Sequence, residues 1–208
     1  MKLFLASALG NTISLLVPKL AKPPKENRVI FIANAADPFE GDKWWVESDR
    51  KAFSNLGFNL IETDLRKIDA KQLVVEINRS DIIHFCGGSD FYLLSILQKG
   101  GFIKDIVESV RTGKIFYTGT SAGSCLVAPS LEIYKFDPDE KKHTNLLSDF
   151  YGLGLVNYLI VPHCNQKEFV SDYKVLVEHM PEFSCPLVFL QDNQAIYVED
   201  EKSEILIL

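Results

Sequence analysis

Gly119-Thr120-Ser121-Ala122-Gly123 is the segment of this chain best equipped for covalent chemistry. A serine between two glycines, where a strand turns sharply into a helix, has its hydroxyl held clear of the sheet. Small neighbours let that turn close, and the first amides of the helix face the place where an oxyanion forms. The preceding run Lys114–Thr118 (KIFYT) reads as a buried strand, and Ser121–Ala128 is able to be helical. Ser121 is therefore the expected nucleophile and Ala122 N–H the first oxyanion donor. A second glycine pair, Gly87-Gly88, closes the apolar run Asp81–Cys86 (DIIHFC). Gly88 N–H is the expected second donor, and Ser89 and Asp90, which begin the next helix, are expected beside the substrate.

A serine nucleophile needs a base. Of the four histidines, His84 lies inside an apolar strand and reads as a core residue. His179 ends an amphipathic helix, and His143 sits in a polar stretch. His163 follows Pro162 at a strand end, on the edge of the sheet toward which the serine points, and is the expected base. The acid that orients it is sought between Ser121 and His163, where Glu132, Asp137, Asp139, Glu140 and Asp149 all qualify by residue type.

These side chains are held by strands alternating with helices. Lys2–Ala6, Arg28–Ala33, Phe58–Glu62, Asp81–Cys86, Lys114–Thr118 and Leu155–Val161 read as strands. Asn11–Leu20, Asp42–Leu56, Asp69–Asn78, Phe91–Gln98, Phe102–Arg111 and Lys167–Met180 read as helices. Near-continuous apolar strands such as RVIFIA belong in a parallel sheet covered on both faces. The expected fold is α/β, a doubly wound mostly parallel sheet flanked by helices, in one domain spanning 1–208. Such sheets place their sites at the carboxyl ends of strands. Tyr134–Leu147 is polar and reads as an exposed loop. Leu187–Leu190, Ala195–Glu199 and Glu204–Leu208 read as an antiparallel meander, with Asp192-Asn193 in its first turn.

Composition narrows the function. The chain has 208 residues, 22 Lys and Arg against 28 Asp and Glu, and a formal charge of −6. That balance argues against nucleic acid as a partner, since the phosphate backbone selects a basic face. No apolar stretch approaches the roughly 20 residues of a membrane span. The four cysteines form no C-x-x-C pair, so neither a zinc ribbon nor a redox motif is expected. Thiols within apolar runs fit a cytoplasmic location. The opening residues contain an A-x-A, but it falls inside the apolar run, so a first strand is expected rather than a leader.

The chain resembles the peptidase E family of serine aspartyl-dipeptidases, which shares its fold with class I glutamine amidotransferases. The resemblance rests on Gly87-Gly88-x-x-Phe91-x-Leu93-Leu94, the elbow Gly119–Gly123 with Ala128-Pro129, Gly154–Asn157 leading to Pro162-His163, and Asp192–Ala195. It implies Ser121, His163 and the amides of Gly88 and Ala122 in the roles given above. It favours Asp137, followed by Pro138, as the acid. It implies hydrolysis of dipeptides or short peptides with N-terminal Asp, without metal or cofactor. Two residues depart from it. Ser89-Asp90 stand where the family usually has Asn-Thr, and no arginine follows His163, so Lys167 is the nearest cation for an acidic substrate. A glutamine amidotransferase would carry cysteine at the elbow. A silent binding or regulatory member of the fold and a small-ester hydrolase are the alternatives that keep the same elbow.

Overall fold

The computed structural model describes all 208 residues. Nine strands run in chain order: β1 Lys2–Ala6, β2 Arg28–Ile32, β3 Asn59–Glu62, β4 Ile82–Phe85, β5 Phe116–Thr120, β6 Leu159–Val161, β7 Leu187–Phe189, β8 Gln194–Glu199 and β9 Lys202–Ile207. The helices are α1 Leu9–Leu16, α2 Trp44–Asn55, α3 Ala70–Asn78, α4 Asp90–Gly100, α5 Ile103–Arg111, α6 Ala122–Cys125, α7 Pro138–Lys141 and α8 Val170–His179.

The main sheet has the order β3-β2-β4-β5-β1-β8-β9. Its first five strands are parallel, and β8 and β9 are antiparallel. Strand periodicity explains the layers, because alternate residues face opposite sides. Leu3, Leu5, Ile30, Ile32, Ile83 and Phe85 enter one core, while Phe4, Ala6, Val29, Phe31 and Ile82 enter the other. Both faces are covered, which is why these strands read as unbroken apolar runs.

Two segments differ from the sequence reading. The antiparallel C-terminal strands form as the pair β8-β9, but β7 leaves that group and pairs in parallel with β6 in a separate two-stranded sheet. The polar stretch 134–147 is folded rather than an open loop. It contains α7, and its Glu140 is only 6% exposed. The reason is local. The Glu140 carboxylate accepts hydrogen bonds from Ser89 Oγ and from the Asp90 and Phe91 amides, the free donors at the start of α4. No helix is long and apolar enough to cross a membrane.

Candidate active site

Strand β5 ends at Thr120, and the chain reverses through Ser121 into α6 with φ 50° and ψ −114° at the serine. A non-glycine residue at positive φ is strained by roughly 1–3 kcal/mol and persists only where its surroundings fix it. Here Ser121 N–H donates to Ala6 O at 3.1 Å, and Ser121 O accepts from the Ser124 and Cys125 amides at 2.8 and 2.9 Å. Gly123 makes the turn possible: a Cβ there would lie 2.0 Å from Phe85 O, so only glycine lets α6 press against β4.

His163 follows β6 with its own positive φ of 60°. Its Nε2 lies 3.0 Å from Ser121 Oγ. Its Nδ1 lies 2.6 Å from Asp192 Oδ1. The ring stacks on Phe169 at 5.2 Å, which limits its rotation. Asp192 sits in the turn between β7 and β8. It also accepts from Ser7 Oγ at 2.8 Å and from Gln166 Nε2 at 2.7 Å. Burial works against this carboxylate, but the bonds from His163, Gln166 and Ser7 outweigh it and hold its pKa down at about 2. Ser7, just past β1, also accepts from His163 N–H at 2.8 Å and so ties histidine and acid together.

The sequence reading is corrected at the acid. Asp137 does not reach His163. Its Oδ1 caps α7, accepting from the amides of Asp139 and Glu140, and the residue is part of the cavity lining. The other acids considered are spent elsewhere: Glu132 on Lys135, Glu140 on α4, and Asp149 on Gln98. Asp139 is exposed. The residue found in the acid's position, Asp192, lies beyond His163 in the chain. Its visible signals were the Asp-Asn turn and its place in the family pattern.

A cavity of about 580 Å³ opens over Ser121 and His163. Gly88 and Asp90 line it. Ser89 does not, because it is buried as the cap of α4 and bonds Glu140. Lys167 is exposed and lies outside the cavity wall. The aromatic side chains of Phe39, Trp44 and Trp45 form one flank, and Phe169 and Tyr173 another. His84 is a satisfied core residue, bonded to Thr118 Oγ1 and Asp49.

Asp90 carries a stability prediction. Burial first, and then the neighbouring Glu140 charge, raise its pKa well above the usual carboxylate range. As pH rises past about 4 the unfolded chain releases this proton before the folded one does. The unfolded state then binds fewer protons, and stability falls with rising pH. Asp90→Asn should therefore lose less Tm between pH 5 and pH 8 than the parent. Equal losses, read by calorimetry, would count against this ionisation cost.

Comparison with known proteins places the chain among peptidases. The model of peptidase family S51 matches residues 6–206. An uncharacterized peptidase of Pasteurella multocida (strain Pm70) is 29% identical over 200 residues, covering 96% of this chain and 94% of that protein. A peptidase E of Streptomyces coelicolor is 29% identical over 136 residues, 62% of this chain and 54% of that protein. A crystal structure from Listeria monocytogenes EGD-e assigned to peptidase E superposes with a TM-score of 0.89 at 25% identity, covering 100% of this chain and 98% of that one.

Proposed function

The chain belongs to peptidase family S51 and is a serine peptidase, and on that premise we propose that it removes the first residue from dipeptides or short peptides using Ser121, His163 and Asp192. The observation that carries the reading is the unbroken line from Ser121 Oγ through the His163 ring to Asp192, with contacts of 3.0 and 2.6 Å. In this reading Ser121 Oγ attacks the scissile carbonyl carbon while His163 Nε2 takes the hydroxyl proton. Asp192 holds Nδ1–H, which leaves Nε2 free to accept, and steadies the imidazolium that forms. The tetrahedral oxyanion is received by Gly88 and Ala122 N–H. Collapse expels the amine, which takes its proton from His163, and leaves an acyl-serine. Water then attacks the acyl carbon by the same proton route and frees Ser121. A cavity of about 580 Å³ suits a ligand of a few residues rather than a long chain.

Gly88 is fixed for this task. Its φ of 146° and a Cβ position 2.2 Å from Ala35 O exclude other residues. The peptide joining it to Gly87 is oriented by Trp45, whose Nε1–H donates to Gly87 O at 3.1 Å. Carbonyl and N–H point opposite ways across a trans peptide, so this bond turns the Gly88 N–H away from Trp45. Removing an oxyanion donor outright costs about 10²–10³ in kcat. Trp45→Phe keeps the donor but frees its peptide, so a smaller loss is expected, about tenfold in kcat with KM nearly unchanged. An unchanged kcat would remove Trp45 from this role.

The proposal is tested by incubating the protein with dipeptides and tripeptides and reading the products by mass spectrometry, beside fluorophosphonate labelling. Release of the first residue, with the label on the Ser121 peptide, is the expected result. Internal cleavage of longer peptides would overturn the exopeptidase reading. An unlabelled Ser121 would favour a silent binding member of the fold.

A further inference from the structure

Asp49, His84 and Cys86 meet in the core beside the active-site cavity, and the proposed hydrolysis uses none of them. His84 and Cys86 are two residues apart at the end of β4, so their side chains leave the sheet on the same face. Helix α2 brings Asp49 to that face. All three residues are buried. An imidazole nitrogen, a sulfur and a carboxylate oxygen lie within 4.8 Å of one another, and nowhere else in the chain do three such groups converge.

The His84 ring is held as a metal-bound imidazole is held. Its Nδ1 lies 3.0 Å from Oγ1 of Thr118, its register partner on β5. Phe31 and Phe53 pack on the ring at 5.3 and 5.0 Å. An outer partner of this kind fixes which nitrogen is left for a ligand, here Nε2. Nε2 lies 3.3 Å from Asp49 Oδ2. The other histidine–carboxylate contacts of the chain, His163–Asp192 and His179–Glu182, are both 2.6 Å. The buried pair is therefore the loose one, although a dry core strengthens such a bond. Its separation is that of two corners of a tetrahedron, since nitrogen and oxygen bound to one zinc ion stand about 3.3–3.4 Å apart. A thiolate on the same ion stands about 3.6 Å from each of them, which leaves the Cys86 sulfur at most about 1.2 Å to close.

We infer that Asp49, His84 and Cys86 form a binding site for zinc or a zinc-like divalent ion. The donor set selects the metal, because thiolate and imidazole suit zinc whereas magnesium and calcium take oxygen ligands. Charge closes as well. On binding, the Cys86 S–H bond breaks, the sulfur keeps the electron pair and bonds the metal, and the proton leaves to solvent. The Asp49 carboxylate and the new thiolate then set two negative charges against the ion's two positive ones, so the core holds no net charge. The fourth corner is left for water from the cavity that Asp49 lines. The ion joins α2 to the end of β4. Asp49 stands one turn past Trp45, and Cys86 directly precedes Gly87, so the clip ties together the two elements that meet at the Gly87 carbonyl. The site does not depend on the peptidase mechanism.

Cobalt reports such a site by its spectrum. The whole protein, stripped with a chelator, would be titrated with Co²⁺ and then Zn²⁺. The titration would be repeated on protein refolded from denaturant with the ion present, so that burial does not bar entry. One equivalent of Co²⁺ should give the visible bands of a tetrahedral ion and the near-ultraviolet charge-transfer band of a thiolate ligand, and Zn²⁺ should abolish both. Cys86→Ala should lose the charge-transfer band, while Cys164→Ala and Cys185→Ala keep it. Asp49→Asn should weaken binding at least as much as the loss of an outer partner does, about 10–100-fold. With Zn²⁺ about a hundredfold above its Kd, Tm should rise by about 5–10 °C in the parent and much less in Cys86→Ala. Absence of the charge-transfer band in both preparations would overturn the inference. So would a band that survives Cys86→Ala and is lost in Cys164→Ala or Cys185→Ala, which assigns the metal to another thiol. Should Cys86→Ala fail to fold by near-ultraviolet circular dichroism, Asp49→Asn decides, and an undiminished affinity in that variant would overturn the site.

Discussion

Ser121→Ala should lower kcat/KM on any cleaved peptide by about 10⁶-fold, the loss expected when the nucleophile of such a unit is removed. The loss should leave stability nearly unchanged. Alanine keeps a Cβ, so the turn with φ 50° remains as strained as it is with serine. Ser121→Gly separates the two properties. Glycine adopts positive φ without that penalty, and relief of roughly 1–3 kcal/mol should raise Tm by several degrees, at about 2–4 °C per kcal/mol in a domain of this size. Both variants should be inactive, and only the glycine variant should melt later. Turnover measured by mass spectrometry, together with calorimetry, checks both halves. More than about 1% residual activity in Ser121→Ala would mean that another group attacks. A Ser121→Gly protein that melts earlier would mean that the serine side chain stabilises the elbow more than its backbone strains it.

The elbow serine and the histidine that contacts it were legible in the sequence because each is tied to a local signal. Small residues flank Ser121 at a strand end, and Pro162-His163 closes a short apolar strand. The mostly parallel sheet was legible for a similar reason, since strands buried on both faces leave unbroken apolar runs. Asp192, the acid of the proposed mechanism, had no such signal. Asp192-Asn193 has the composition of any turn. Its position depends on β7 pairing in parallel with β6, which carries the β7–β8 turn alongside His163. That pairing joins segments about thirty residues apart, and local periodicity does not encode it. Asp137-Pro138 drew attention as a candidate acid, yet an aspartate followed by proline is also a helix start, and that is its place at α7. Glu140 was hidden in a run of charges that looked solvated. Only the free amides of α4 explain why it is buried.

The assignment of the acid has its own large consequence. Asp192→Asn should reduce kcat by about 10⁴-fold, the effect of the same change in a serine protease triad, with a much smaller change in KM. The hydrogen bonds show why. Three donors converge on the two carboxylate oxygens of Asp192: His163 Nδ1, Ser7 Oγ and Gln166 Nε2. An amide offers one acceptor oxygen in their place, so its NH₂ must face at least one of these partners. If it faces His163, Nδ1 must accept, the ring carries its proton on Nε2, and that nitrogen no longer takes the proton of Ser121. If the amide oxygen faces His163, the tautomer survives but the negative charge that steadies the imidazolium is gone. Asp137→Asn touches neither nitrogen of His163. On a substrate with a neutral acyl-side residue it should cost less than about tenfold. Measured side by side, the two variants divide the candidates. If Asp192→Asn keeps more than a tenth of wild-type kcat while Asp137→Asn is inactive, the acid assigned here is the wrong one.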